Sequence, residues 1–205
     1  MKIYVCSSNR GKLRETVSAA NAAGLSEIEI GPFQEWQSLR APEETGTTFE
    51  ENAIAKAIYY SGFTSELVLA DDSGLEVAAL NGAPGIFSAR YAGPAASDSD
   101  NNTTLLCELS TTAHRQARFV CVLALAHKGQ LVTTARGDVA GEILLAPQGD
   151  GGFGYDPLFF YPALQRSFAQ LSPSEKAAVS HRGKALRQLF ERLPNVLAGY
   201  RAAAQ

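Results

Sequence analysis

Leu67-Val68-Leu69-Ala70-Asp71-Asp72-Ser73-Gly74-Leu75-Glu76-Val77 is the stretch on which the reading of this chain turns. Leu67 to Ala70 is a short apolar run of the kind that forms a buried strand. It ends in two adjacent carboxylates, a hydroxyl and a glycine. Asp, Ser and Gly are turn formers, so the pattern predicts a chain reversal here and a second strand from Leu75. Strand side chains alternate faces, so Asp71 and Asp72 are expected to point in different directions. Two readings follow. In the plainer one an Asx-turn closes a hairpin. In the other a carboxylate faces a cleft at the strand end. There it suits Mg2+, which takes a few carboxylates together with substrate phosphates, or it accepts a proton from an attacking water.

The surrounding chain narrows the classes. Its 205 residues, 45% hydrophobic and 19% charged, describe an ordinary globule with an ample core. No linker, repeat or low-complexity segment interrupts residues 1–205, so a single domain is expected, or two intimately joined lobes. No apolar stretch reaches the length of about 18 residues that a membrane span needs. Met1 to Cys6 reads as a strand and lacks the features of a signal peptide. Cys6, Cys107 and Cys121 are odd in number and widely spaced, and form no metal or redox motif. Buried, reduced thiols in a cytoplasmic protein are expected. The formal net charge of -3 argues against general nucleic-acid binding. Two local basic clusters, Arg10-Lys12-Arg14 and Lys176-His181-Arg182-Lys184, leave room for an anionic small ligand.

Ile3 to Cys6 is a strand pattern followed by Ser7-Ser8-Asn9-Arg10-Gly11-Lys12 and a helix from about Lys12 to Ala23. A helix N-terminus offers free N–H groups and the positive end of a dipole, which suits phosphate. Lys12 adds a charge and Asn9 or Ser8 a cap. The stretch is not a P-loop, because Leu13 stands where Ser or Thr is required. Thr47 with Glu50, or Thr48 with Glu51, predicts a helix running to about Ser61, with Asn52 and Lys56 four apart on one face. Glu43 and Glu44 precede it, and either could supply a second carboxylate for a metal. Arg118 to Ala126 and Gln130 to Asp138 read as a hairpin, with Val139 to Leu145 as a bulged continuation.

Gly149, Gly151 and Gly154 formally satisfy G-x-G-x-x-G. The dinucleotide reading fails, because Pro157 and an aromatic run follow where a helix should open. What remains is a backbone able to approach a ligand closely, with Phe153 and Tyr155 available to stack on a planar ring and Asp156 as an acceptor. Ser172-Pro173-Ser174-Glu175 is a capping box that starts a short helix carrying Lys176. Ser180 to Lys184 starts a last helix, with Ala185, Leu189 and Leu193 as its stripe and Pro194 as its breaker.

Six blocks together resemble the inosine triphosphate pyrophosphatase family, the non-canonical purine NTP pyrophosphatases. They are Ser7-Ser8-Asn9-Arg10-Gly11-Lys12; Glu44-Thr45-Gly46 with Phe49-Glu50-Glu51-Asn52-Ala53; Ala70-Asp71-Asp72-Ser73-Gly74-Leu75; Gly82-Ala83-Pro84-Gly85 through Ser88-Ala89-Arg90-Tyr91; Gly152-Phe153-Gly154-Tyr155-Asp156-Pro157; and Ser180-His181-Arg182-Gly183. They occur in family order across nearly the whole chain. Ser7-Ser8 stands where many members have Thr-Gly, which keeps the hydroxyl.

The resemblance implies an elongated α/β fold with a mixed sheet and flanking helices. It further implies two lobes around a central nucleotide cleft, and a homodimer. It implies Mg2+-dependent hydrolysis of ITP, dITP and XTP to the monophosphate and pyrophosphate. In that assignment Asp72 is the proton acceptor and, with Glu44, a Mg2+ ligand. Ser73 contacts substrate, and Ser7, Ser8, Asn9, Arg10, Gly11 and Lys12 hold phosphates. Phe153, Gly154, Tyr155, Asp156, Lys176, His181 and Arg182 bind the nucleotide, with Phe153 stacked on the base. Asn52, Lys56 and Asp71 support the site. Donors from His181 and Arg182 would read the 6-oxo group shared by hypoxanthine and xanthine. Two alternatives stand beside this one: a pyrophosphatase of modified pyrimidine triphosphates, and a nucleotide-binding regulator without turnover.

Overall fold

The computed structural model describes residues 1–7, 9–25, 27–33 and 39–203, with side chains through residue 198. Ser8 therefore lies outside the described residues. The strands are β1 (Lys2–Cys6), β2 (Glu29–Pro32), β3 (Leu67–Val77), β4 (Gln116–His127), β5 (Gln130–Ile143), β6 (Phe159–Tyr161) and β7 (Arg166–Ser167). The helices are α1 (Arg10–Ala22), α2 (Phe49–Ser61), α3 (Asp98–Glu108), α4 (Pro173–Val179) and α5 (His181–Ala203). The strands form one sheet in the order β2-β1-β3-β4-β5-β6-β7. β1 runs parallel to both β2 and β3, while β6 is antiparallel to β5 and β7. The mixed α/β sheet expected from the sequence is the one observed.

By chain contacts the molecule divides into two compact units. One comprises Met1–Asp72, Cys121–Gly137 and Arg182–Gln205; the other comprises Ser73–Val120 and Asp138–His181. The first has a core in which Ile3 and Val5 of β1, Leu67 and Leu69 of β3, and Leu123 and Leu125 of β4 pack with Leu186, Leu189, Phe190 and Leu193 of α5. The alternation in β1 and the 3.6-residue stripe of α5 are what bury these side chains on common faces. The second has its own core, in which Leu75, Leu105, Leu109, Phe119, Leu158, Phe159 and Phe168 are buried together. Phe119 lies against Phe159 and Phe168, with ring centroids 4.6 and 5.9 Å away.

Three expectations are corrected. The reversal at Asp71–Gly74 does not occur: β3 continues unbroken from Leu67 to Val77. An Asp-Asp-Ser-Gly run has local hydrogen bonds that favour turns, but tertiary partners hold it extended here. Asp71 and Asp72 each find cations, and the Leu75 N–H donates to Ser88 Oγ at 2.9 Å. Pro194 does not end the last helix, which passes through it to Ala203. An interior proline removes a hydrogen bond and crowds the preceding turn. Leu197, in the same core as Leu193, shows what burial on the far side of the proline recovers. Finally, Cys6 and Cys121 are buried but Cys107 is exposed on α3. Val139 to Leu145, expected as a bulged continuation of the sheet, continues it as far as Ile143, within β5.

Candidate active site

The register of β1 against β3 pairs Ile3 with Leu67 and Cys6 with Ala70. Asp71 thus follows directly on the residue paired with the end of β1, where the chain leaves the sheet to start α1. Asn9 caps that helix, its Oδ1 accepting from Gly11 N at 2.8 Å and Lys12 N at 3.2 Å. Two of the N–H groups that a phosphate cradle would use are therefore engaged by the cap. Ser7 Oγ accepts from Asn9 N at 3.2 Å, and Arg10 projects outward from the first turn. Lys12, one turn in, brings its Nζ to 2.5 Å from Asp71 Oδ1.

Asp71 is a buried hub. Its Oδ2 accepts from Arg182 Nε at 2.7 Å and from the Cys121 thiol at 3.2 Å. Arg182, 2% exposed, turns its Nη1 to Glu15 Oε2 at 2.7 Å. Burial by itself pushes the Asp71 carboxyl up, but the Arg182 guanidinium and the Lys12 ammonium overcome it and hold the group well below the usual carboxylate range. The same burial and the adjacent Asp71 charge push the Cys121 thiol well up, so it is a neutral donor rather than a nucleophile. Glu15, the partner of Arg182, was not singled out from the sequence; its place on α1 three residues beyond Lys12 is the signal that could have found it.

Asp72 faces a different partner. Its Oδ1 accepts from Lys56 Nζ at 2.6 Å, and the same ammonium reaches Glu44 Oε1 at 3.2 Å and the Asp71 carbonyl at 3.3 Å. Lys56 sits on α2 because Thr48 caps that helix, accepting from Glu51 N at 3.1 Å. Asn52, one turn before Lys56, accepts from Gly46 N at 3.0 Å. A side-chain carbon on Gly46 would come within 2.5 Å of that Asn52 oxygen, so glycine lets the Glu44 loop close onto the helix. Burial raises the Asp72 carboxyl above its ordinary value, and Lys56 only partly offsets this. Burial would lower Lys56, but Asp72, Glu44 and Asp71 together raise it, so it stays charged. The Asp72 Oδ2 and Asn52 Nδ2 atoms are buried with no hydrogen-bond partner among the described residues.

The remaining predicted residues gather in the second unit. Ser73 is half-buried in β3 directly after Asp72. Lys176 Nζ makes a buried ion pair with Asp156 Oδ2 at 2.5 Å and lies 4.5 Å from the centroid of the Phe153 ring. Asp156 Oδ2 also accepts from Phe153 N at 2.8 Å. Gly152, at φ +75°, packs against this carboxylate so closely that a side chain there would overlap it. Asp156 is thus a loop-closing acceptor. Tyr155 is not placed to stack on a ligand: its ring is 4% exposed in the apolar core and its hydroxyl donates to the Ser88 carbonyl at 2.9 Å. An aromatic with a polar tip satisfies that tip when buried, which is why the ring points inward. His181 is buried and stacked on Phe119, with ring centroids 4.6 Å apart and planes at 13°.

The guanidinium of Arg182 is paired with both Asp71 and Glu15. A fully buried guanidinium needs carboxylates around it, and the packing supplies two.

A strand-borne carboxylate pair, two lysines converging on it and a mixed seven-stranded sheet define the class. The profile of the Ham1 family matches residues 3–192, and the chain belongs to that family. It is 48% identical over 189 residues to the dITP/XTP pyrophosphatase of Exiguobacterium sp., covering 92% of this chain and 95% of the relative. It is 48% identical over 203 residues to the dITP/XTP pyrophosphatase of Acidobacterium capsulatum, covering 95% and 98%. A HAM1 protein from Coxiella burnetii superposes with a TM-score of 0.84 at 43% identity, covering 95% of this chain and 99% of that one.

Proposed function

We propose that this protein is a nucleoside-triphosphate pyrophosphatase that hydrolyses dITP, ITP and XTP to the monophosphate and pyrophosphate, clearing deaminated purines from the nucleotide pool. The observation that carries the reading is the division of labour on β3, where Asp71 is neutralised by two cations while Asp72 keeps one buried oxygen without a partner among the described residues. Native proteins rarely leave such an atom unsatisfied, and the exceptions mark ligand, ion or catalytic positions. The similarity to two dITP/XTP pyrophosphatases over nearly the full chain supplies the substrate class.

In this reading Asp72 accepts the proton of the attacking water. A carboxylate raised by burial is a better proton acceptor than an ordinary one. Lys12 and Lys56 bring positive charge to the triphosphate, with Ser7, Asn9, Arg10 and Gly11 along the same turn and Ser73 beside Asp72. Phe153 offers its ring to the purine, on the face away from Lys176. His181, Gly154 and Asp156 shape that region.

The residues also fit a divalent cation. No group of three or more His, Cys, Asp or Glu among the described residues could hold a metal unaided. Glu44 and Asp72, already drawn to one ammonium, are the donor pair expected of Mg2+, which completes its shell with water and phosphate oxygens. When bound, Mg2+ would neutralise the charge that develops as pyrophosphate leaves. A homodimer belongs to the same proposal and rests on the family resemblance. Among the described residues no helix is long and apolar enough to cross a membrane.

The test is pyrophosphate release from dITP, ITP, XTP, GTP, ATP and dUTP, with Mg2+ and with a chelator. Mg2+-dependent release favouring the three deaminated purines is expected. A preference for the pyrimidine triphosphate, or binding without release, would establish one of the alternatives instead.

A further inference from the structure

Phe153 is fixed from three directions, and two of the groups that fix it come from a helix with no part in the reading above. Asp98 and Asn102 lie four residues apart on α3, one above the other on the same face. Gly154 N donates to Asp98 Oδ2 at 2.6 Å, and Asn102 Nδ2 donates to the Gly154 carbonyl at 3.0 Å. One helix face thus grips both polar groups of the residue after Phe153, while Phe153 N is held by Asp156. The backbone on either side of the aromatic ring is pinned by side chains rather than by a sheet or helix of its own.

The grip is costly in a way that a purely structural contact would avoid. Asn102 Oδ1 is buried without a hydrogen-bond partner among the described residues. An apolar residue there would remove an unsatisfied acceptor. What the amide does instead is hold Gly154. The helix that presents it is firmly seated. Ser97 and Asp100 form a full capping box at its start, and Leu105 and Leu109 are wholly buried. The neighbouring Asn101 Oδ1 accepts from Ala92 N at 2.8 Å.

We propose that Asp98 and Asn102 are positioning residues that preset the Phe153 ring for the purine base, acting on substrate affinity and not on the chemical step. This rests on the reading of Phe153 as the stacking platform. A loop held in its binding conformation spares the ordering cost that a free loop meets on association. Loss of either grip should therefore appear in KM.

The experiment uses Asp98→Ala, Asn102→Ala and the conservative Asp98→Asn, which keeps an acceptor oxygen. Each is assayed for dITP turnover and for inhibition by inorganic tripolyphosphate, which carries the phosphates without a base. Both alanine variants should raise KM for dITP about tenfold, the scale of one hydrogen bond. Their kcat should stay within about twofold and their tripolyphosphate inhibition constant should not move, because neither touches the phosphate site. Asp98→Asn should recover most of the wild-type KM. An unchanged KM overturns the inference, as does a KM and tripolyphosphate constant that rise together, since that signals general disruption. Asp98 is exposed, so its variants test the idea even if Asn102→Ala fails to fold. Wild-type protein that releases no pyrophosphate from dITP would fail the functional reading itself, and the inference with it, before any variant is compared.

Discussion

The acidic strand and the glycine-aromatic loop solve opposite problems. On β3 the chemistry-bearing groups are side chains drawn from far apart in sequence: Lys12 and Asp71 are 59 residues apart, Asp71 and Arg182 are 111. Charges meet charges there, on a strand whose backbone is already fixed by the sheet. In the loop the groups that matter are backbone N–H and C=O, held by Asp98, Asn102 and Asp156 around an aromatic ring. A rigid element needs only the right charges placed on it. A glycine-rich loop must first be made rigid, and three polar side chains do this. The first region is therefore expected to answer to substitution through rate and stability, and the second through affinity.

The contrast is tested most severely at Asp72. Asp72→Asn keeps the shape but removes the proposed proton acceptor, and kcat for dITP should fall about 10^2- to 10^4-fold with a small change in KM. A large KM change with kcat intact would place Asp72 with the binding groups and erase the distinction. Next in size is Arg182→Ala, which takes one of its two paired cations from the buried Asp71 carboxylate. Removing one partner of a buried pair costs about 3–5 kcal/mol, to be read as a lower midpoint in urea unfolding. Phe153→Ala should lose about 1–3 kcal/mol of base stacking, seen as a rise in KM for dITP with little change in kcat or in unfolding midpoint.

The smallest effect concerns α4, which carries Lys176. Its capping Glu175 is hydrogen-bonded by the Arg166 side chain and by Ser172, and its carboxyl is pulled down to about 2. A depressed folded-state value means that the group stabilises the protein above the unfolded carboxylate value, and that this contribution fades as pH falls from about 4.5 towards 2. Glu175→Gln should thus be slightly less stable than wild type at pH 6. The gap should close on acidification through that window. A difference independent of pH would show that the charge is not what the cap uses.

Much of this was legible in the residues. Capping boxes marked the starts of α2 and α4, and the strand-to-helix turn at Ser7–Lys12 was visible because Asn9 and Lys12 carry recognisable roles. The carboxylates of Asp71 and Asp72 were expected to diverge, and they do. What could not be read was the identity of their partners. Turn propensity is a local signal, whereas the cations that keep Asp71–Gly74 extended arrive from residues 12, 56 and 182. Pro194 misled for the same reason: the cost is local, and the burial of Leu197 that offsets it is tertiary. Tyr155 and Arg182 had the chemistry of ligand-binding groups but are buried among protein partners. Asp98 and Asn102 were not singled out, because nothing in their own neighbourhood points to Gly154.

The account turns on a water delivered by Asp72 to the α-phosphorus of the substrate. Hydrolysis of dITP in 18O-labelled water, followed by mass spectrometry of the separated products, locates the attacked atom directly. The label should appear in the deoxyinosine monophosphate and not in the pyrophosphate. Label in pyrophosphate or in orthophosphate would mean attack further along the chain, and would contradict it.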